Sequence, residues 1–151
     1  MSDYVVHLIP TRPDFVPANT DTVTAALLDA VRMLQLGEED VGVVVGKTTV
    51  FVDAGENWGK ILCPSCGREL PNAWWSQAMQ AAFLTEFANL TATTPCCDSL
   101  VSLNDLVYEW PVGFAKVVIT VRNPDRRPEA AEVEMLERVV GCRLRLVEAH
   151  V

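Results

Sequence analysis

The sequence predicts an α+β protein: an antiparallel sheet with helices on one face and an inserted cysteine-bearing lobe. Three observations predict it. Segments rich in β-formers alternate with helix-periodic segments at both ends of the chain. Residues 53–113 interrupt that alternation. Four of the five cysteines fall in the interruption, in two similar stretches, ILCPSCGREL (61–70) and TATTPCCDSL (91–100).

Taken in order, residues 4–9, YVVHLI, read as a strand that stops at Pro10. After a proline-bearing loop, NTDTVTAALLDAVRMLQLG reads as a helix. Thr20 or Asp21 can cap it, Val23, Leu27, Ala30, Val31 and Leu34 line one face, and Gly37 suits the position past its end. VGVVVGKTTVFVD is strand material, either one long strand or a hairpin turning at Gly46-Lys47. Glu38-Glu39-Asp40 before it reads as a solvated acidic edge. Between the cysteine stretches, Asn72 is a helix N-cap candidate, and Trp75, Met79, Phe83, Phe87 and Leu90 recur at helical spacing as a core stripe. SLVSLNDLVYEW gives a short strand and an irregular stretch, and FAKVVITV (114–121) a strand. PEAAEVEMLERVVG is a helix with Pro128 early, Glu129 at its positive end and Gly141 past its last turn. CRLRLVEAH alternates Cys142, Leu144 and Leu146 against Arg143 and Arg145, the pattern of a half-buried strand. With 53–113 set aside, the order is strand, helix, strand, strand, helix, strand, which is ferredoxin-like (βαββαβ). One domain over 1–151, with a metal-binding lobe inserted at 61–100, follows from 151 residues.

Half the residues are hydrophobic and 21% are charged, a globular balance. No apolar run approaches the roughly 20 residues of a membrane helix, and the N-terminus lacks the pattern of a signal peptide. A cytoplasmic location is expected. Thiols stay reduced there, so five cysteines point to metal or free thiols before disulfides. The net charge is −8. Residues 61–110 hold five acids and a single base, Arg68, which suits phosphate contact poorly. Arg122, Arg126, Arg127, Arg143 and Arg145 are the one basic concentration, and pairing with nearby Glu accounts for them.

Cys63-Pro64-Ser65-Cys66-Gly67 resembles the CPxCG knuckle of zinc ribbons. Two residues between thiolates let a tight turn aim both sulfurs at one point, and Gly67 permits the backbone that follows. Arg68 is near enough to favour the charge. Thr94-Pro95-Cys96-Cys97-Asp98 aligns beneath it, with Thr94 at the first ligand position and an extra Cys96. The chain is also similar to small, uncharacterised actinobacterial proteins that join a CPxCG segment to a later PCC followed by LNDL and WP, here Pro95-Cys96-Cys97, Asn104-Asp105-Leu106 and Trp110-Pro111. That similarity implies no particular activity.

Three arrangements satisfy the cysteines. Cys63, Cys66, Cys96 and Cys97 bind one structural Zn²⁺; or Cys63, Cys66 and Cys97 bind it with a His, an acid such as Asp98 or water in the fourth place; or Cys63 and Cys66 are a metal-free redox pair. A redox CxxC starts a helix, whereas Pro71 and Asn72 put the helix start well past Cys66. The four-cysteine site is the reading taken forward. Cys142 reads as a small buried hydrophobe. His7 and His150 have no neighbouring acid and nucleophile in a known motif.

GxGxxG, Walker, HExxH and GxSxG motifs are missing. Gly46-Lys47-Thr48 imitates the end of a phosphate loop, but Gly42 sits one residue too late and the flanks read as strand. The expected function is therefore a zinc-stabilised, non-catalytic module that binds another protein. Its size and acidity are similar to those of bacterial immunity proteins that neutralise basic nucleases. Binding of nucleic acid or transcription machinery, as many zinc ribbons do, is the alternative. A hydrolase is disfavoured, because three thiolates make a poor Lewis acid and no general base is apparent. Trp58, Trp74, Trp75 and Trp110 all lie in or beside the lobe. Trp74 and Trp75 cannot both face one narrow core, so either one of them is an exposed anchor or all four pack around the lobe.

Overall fold

The computed structural model describes residues 3–37 and 40–151; the Glu38-Glu39 part of the acidic edge lies outside them. Among the described residues, eight strands and three helices follow in order: β1 (Tyr4–Pro10), α1 (Thr20–Met33), β2 (Asp40–Val52), β3 (Ile61–Leu62), α2 (Asn72–Phe83), β4 (Thr91–Thr93), β5 (Leu100–Ser102), β6 (Val107–Tyr108), β7 (Gly113–Arg122), α3 (Ala130–Val140) and β8 (Leu144–His150). The protein is α+β. Its main sheet has four strands in the order β2-β7-β1-β8, all pairs antiparallel. β1 and β2, the strands joined through α1, are held apart by β7, which is the split arrangement of a β-α-β-β-α-β chain.

One face of this sheet is covered by helices. Leu27 and Val31 of α1 and Leu136 and Val140 of α3 pack with Leu8, Val117, Ile119 and Val121 of the strands. The strand residues are spaced by two and the helix residues by four, as the two periodicities require when they share a core. α3 is fixed at its start: Arg126 grips Glu132 through both guanidinium nitrogens (2.6 and 2.8 Å), and Glu132 also accepts from the Glu129 N–H. These partners, Arg126 foremost, hold the Glu132 carboxyl down at about 2.

The segment 40–52 is one strand, not a hairpin. Val45 pairs with Val117 and Val50 with Ala115, so Gly46–Thr49 stand opposite Lys116 alone. The Gly46-Lys47 signal marks a bulge, and Thr49, buried, turns its hydroxyl to the Pro13 carbonyl. α2 is also shorter than its apolar stripe. It ends at Phe83 because Glu86 and Phe87 enter left-handed conformations (φ 56° and 57°), and the Phe87 N–H returns to the Ala82 carbonyl. Phe87 then packs on Phe114 (ring centroids 5.4 Å), while Phe83 is left 65% exposed. Cys142 precedes β8 and is half-buried against the helix-side core. Within β8, Val147 and Ala149 are buried on the face opposite Leu144, so both faces of the strand are in use.

Residues 61–114 form a second core: Ile61, Cys63, Leu70, Ala82, Leu90, Leu103 and Leu106, closed on the sheet side by Phe114 and Phe51. The junction is polar at one point. Asn104, in a short 3₁₀ turn and nearly fully buried, donates to the Thr11 carbonyl (2.9 Å) and accepts from the Phe114 N–H and from Arg145. Arg145 also donates to the Asn104 and Val112 carbonyls. One side chain thereby ties the end of β1, the start of β7 and β8 to the lobe. Replacing it takes one of three acceptors from the Arg145 guanidinium and strands the buried Phe114 N–H. Asn104→Leu is expected to cost about 3 kcal/mol, read from urea midpoints. Combined with Arg145→Met, the loss should be clearly less than additive; additive losses would show that the hub is not a unit.

Candidate metal centre

The four lobe cysteines converge. β3 leads into Cys63, and a turn over 64–66 closes with the Gly67 N–H on the Cys63 carbonyl (2.9 Å) and the Cys63 N–H on the Arg68 carbonyl (2.8 Å). β4 leads into Thr94, and a turn over 95–97 closes with the Asp98 N–H on the Thr94 carbonyl (3.1 Å) and the Thr94 N–H on the Ser99 carbonyl (2.9 Å). The two turns share one hydrogen-bond pattern. Each also needs a left-handed residue at the same place, Gly67 (φ 77°) in one and Asp98 (φ 55°) in the other. The second segment is a knuckle like the first, with Thr94 standing where the first has Cys63.

The substitution decides how the sulfurs are arranged. Buried Thr94 keeps its hydroxyl inside the turn, accepting from the Ser99 N–H (3.1 Å) and lying 3.5 Å from the Cys97 Sγ. The sulfur lost at 94 is replaced from position 96. Cys66 and Cys96 Sγ are 3.3 Å apart, Cys63 and Cys97 Sγ 3.8 Å, and Cys96 and Cys97 Sγ 3.9 Å; all four lie within 4.8 Å of one another. A tetrahedral ion with sulfur ligands at about 2.3 Å sets sulfur–sulfur edges of about 3.8 Å. The donor set and its dimensions therefore fit a tetrahedral metal ion such as zinc. Cys63 is buried, Cys96 intermediate, Cys66 and Cys97 exposed, so the cluster opens to the surface on one side.

Without an ion, the sulfurs divide their charge. The N–H groups of Cys66 and Ser65 point at the Cys63 sulfur and lower its pKa. Hydroxyls of Ser99 (3.0 Å) and Thr94 do the same for Cys97 and bring it down to about 6. Cys96 goes the other way, pushed up to about 12 by desolvation and by Cys66. Arg68, expected to favour the thiolates, supplies only its carbonyl to the turn; the stabilising donors are the Ser99 and Thr94 hydroxyls. The aligned threonine was the sequence signal that could have found them.

No family model, curated protein or solved structure matches this chain.

The remaining candidates fall elsewhere. Cys142 lies apart from the four sulfurs, and burial raises its thiol pKa. His7 Nδ1 pairs with the Thr120 hydroxyl, and His150 Nδ1 with Asn57 Oδ1. Four of the five C-terminal arginines are engaged: Arg122 with Asp3, Arg126 with Glu132, Arg127 with Glu148, and Arg145 at the Asn104 hub. Among the tryptophans, Trp74 donates to the Thr93 carbonyl and Trp75 to the Tyr108 hydroxyl, both against the lobe core. The exposed pair is Trp58 and Trp110.

The split of thiol pKa values predicts an order of reaction. In chelator-treated protein that keeps its folded circular dichroism near pH 7, iodoacetamide should modify Cys97 first and Cys96 last among the four, as read by peptide mass spectrometry. Equal rates at the two neighbours would contradict the hydrogen-bonding scheme.

Proposed function

We propose that the chain is a zinc-stapled module that binds another protein and performs no catalysis of its own, working in the cytoplasm. The convergence of Cys63, Cys66, Cys96 and Cys97 carries this reading. Four protein sulfurs fill a tetrahedron, leave no corner for substrate and contribute folding energy instead of chemistry. The staple holds together a lobe whose strands are only two or three residues long, too short to be stable alone.

The surface supports the partner class. Val50, Phe51, Phe83, Leu84 and Phe87 line an open groove of about 590 Å³ beside the bulged stretch of β2, the strand at the sheet edge. Leu84 is 81% exposed. Apolar surface of this kind, shared between β2 and a lobe with one base, suits an apolar protein segment better than a phosphate backbone. The pairing of four of the five C-terminal arginines with acids or buried carbonyls speaks against the nucleic-acid reading.

Cys63→Ser and Cys97→Ser should each release the metal and lower the melting temperature, with several kcal/mol lost from the lobe. Cys142→Ser should keep one zinc per chain by elemental analysis. Variants of Cys63 and Cys97 that retain both metal and melting temperature would refute the staple. Leu84→Asp should leave zinc and melting temperature unchanged and weaken a cross-linked partner at least tenfold. Unchanged partner affinity would refute the groove as the docking surface.

A further inference from the structure

Five aromatic side chains, Phe51, Trp58, Trp75, Tyr108 and Trp110, line one cavity of about 50 Å³ where the 53–60 loop, α2 and the 108–112 segment meet. Two of the rings are fixed by their polar ends: the Trp75 indole N–H donates to the Tyr108 hydroxyl (3.1 Å), which donates to the Leu103 carbonyl (2.7 Å). Trp58 crosses Trp75 at 67° with centroids 5.5 Å apart, and Phe51 crosses it at 60° and 6.0 Å. Rings crossed so steeply build a corner, not a stack.

The cavity is also charged. Asp53 and Glu109 line it, against one base, Lys60. Glu109 is held in place: its Oε1 accepts from the Lys60 N–H (3.0 Å), and its own N–H donates to the Lys60 carbonyl (2.9 Å). A Cβ on Gly59 would fall 2.6 Å from that Oε1, so the carboxylate lies against the loop only because residue 59 is glycine. The loop is tied at its other end to β8, where the Glu56 N–H donates to the His150 carbonyl (2.7 Å) and Asn57 to the Glu148 carbonyl (3.1 Å). Trp58 thus rides on an anchored loop although the residue is 58% exposed. Ordinary core packing does not place a large indole on a tied surface loop beside two carboxylates.

Aromatic walls with an acidic rim repel anions and attract cations. A compact ammonium is strongly hydrated, whereas an alkylated one presents methyl groups the rings can cover and a diffuse charge their faces can hold. The protein's own cations do not fill the site: among the described residues, the one cation–π contact is Arg12 on Phe15. We propose that this cavity binds an alkylated ammonium group, as carried by choline-type small molecules or by methylated lysine. No cysteine lines it, so the proposal stands or falls apart from the zinc reading.

The test is an NMR titration of the full chain, following the four indole N–H signals. Choline is compared with 3,3-dimethyl-1-butanol, which has the same shape and no charge. Saturable shifts are expected, with choline binding at least tenfold more tightly. Trp58→Ala and Glu109→Gln should each weaken choline at least fivefold at an unchanged melting temperature, and Trp58→Phe, which keeps a π-face, should weaken it less than Trp58→Ala. Absence of saturable shifts, equal binding of the neutral isostere, or full affinity in folded Trp58→Ala would overturn the proposal. A trimethyllysine peptide and its unmethylated form complete the series. Preference for the methylated peptide over choline assigns the ligand to a modified protein tail, preference for choline to a small molecule, and either supports the site.

Discussion

Four cysteine sulfurs within 4.8 Å of one another are the constraint on which the lobe turns. At that separation they cannot all be thiolates without a cation among them, because like charges so close suppress each other's ionisation. The metal-free chain adds a second obstacle to four thiolates: the Ser99 and Thr94 hydroxyls bring Cys97 down to about 6, while desolvation and Cys66 drive Cys96 up to about 12. A divalent ion removes it and converts mutual repulsion into four bonds. The turns are built for that outcome. Backbone N–H groups at one knuckle and side-chain hydroxyls at the other are aimed at sulfur before any ion arrives.

The rest of the lobe is arranged around this point. The two knuckles bracket α2, so joining them fixes both ends of the segment that carries Trp75 and Met79 into the core. That core runs without a break into the main sheet through Phe51 and Phe114, whose rings lie 5.1 Å apart. Asn104 and Arg145 then set the orientation of lobe on sheet through directional hydrogen bonds, which apolar contact alone does not specify. The tied loop under Trp58 belongs to the same junction. The insertion is thus less an appendage than a second core sharing a wall with the first.

The order of elements was legible because β1 and β7 are runs of β-formers and α1 and α3 read as helices. The second knuckle was legible by alignment with the first, including the loss of a ligand at Thr94. Three features were not. Gly46-Lys47 has the composition of a turn, and a bulge uses the same residues. The stripe Trp75–Leu90 continues past the end of α2 because Phe87 and Leu90 are core residues by another route, through a left-handed reversal stabilised by contact with Phe114. Asn104 entered the sequence reading only as part of an irregular stretch and of the Asn104-Asp105-Leu106 motif, and its role as a hub was invisible there, since its partners lie 93 and 41 positions away in the chain. Local pattern reports local structure; reversals and hubs that depend on distant partners leave little trace in it.

The central claim is that one metal ion is held by four protein sulfurs and by nothing else. Zinc K-edge X-ray absorption on the purified protein tests it most directly. The account predicts a single shell of four sulfurs at about 2.3 Å. A shell of three sulfurs with a nitrogen or oxygen neighbour near about 2.0 Å would contradict it. That result would remove Cys96 from the site and reopen the fourth corner to chemistry.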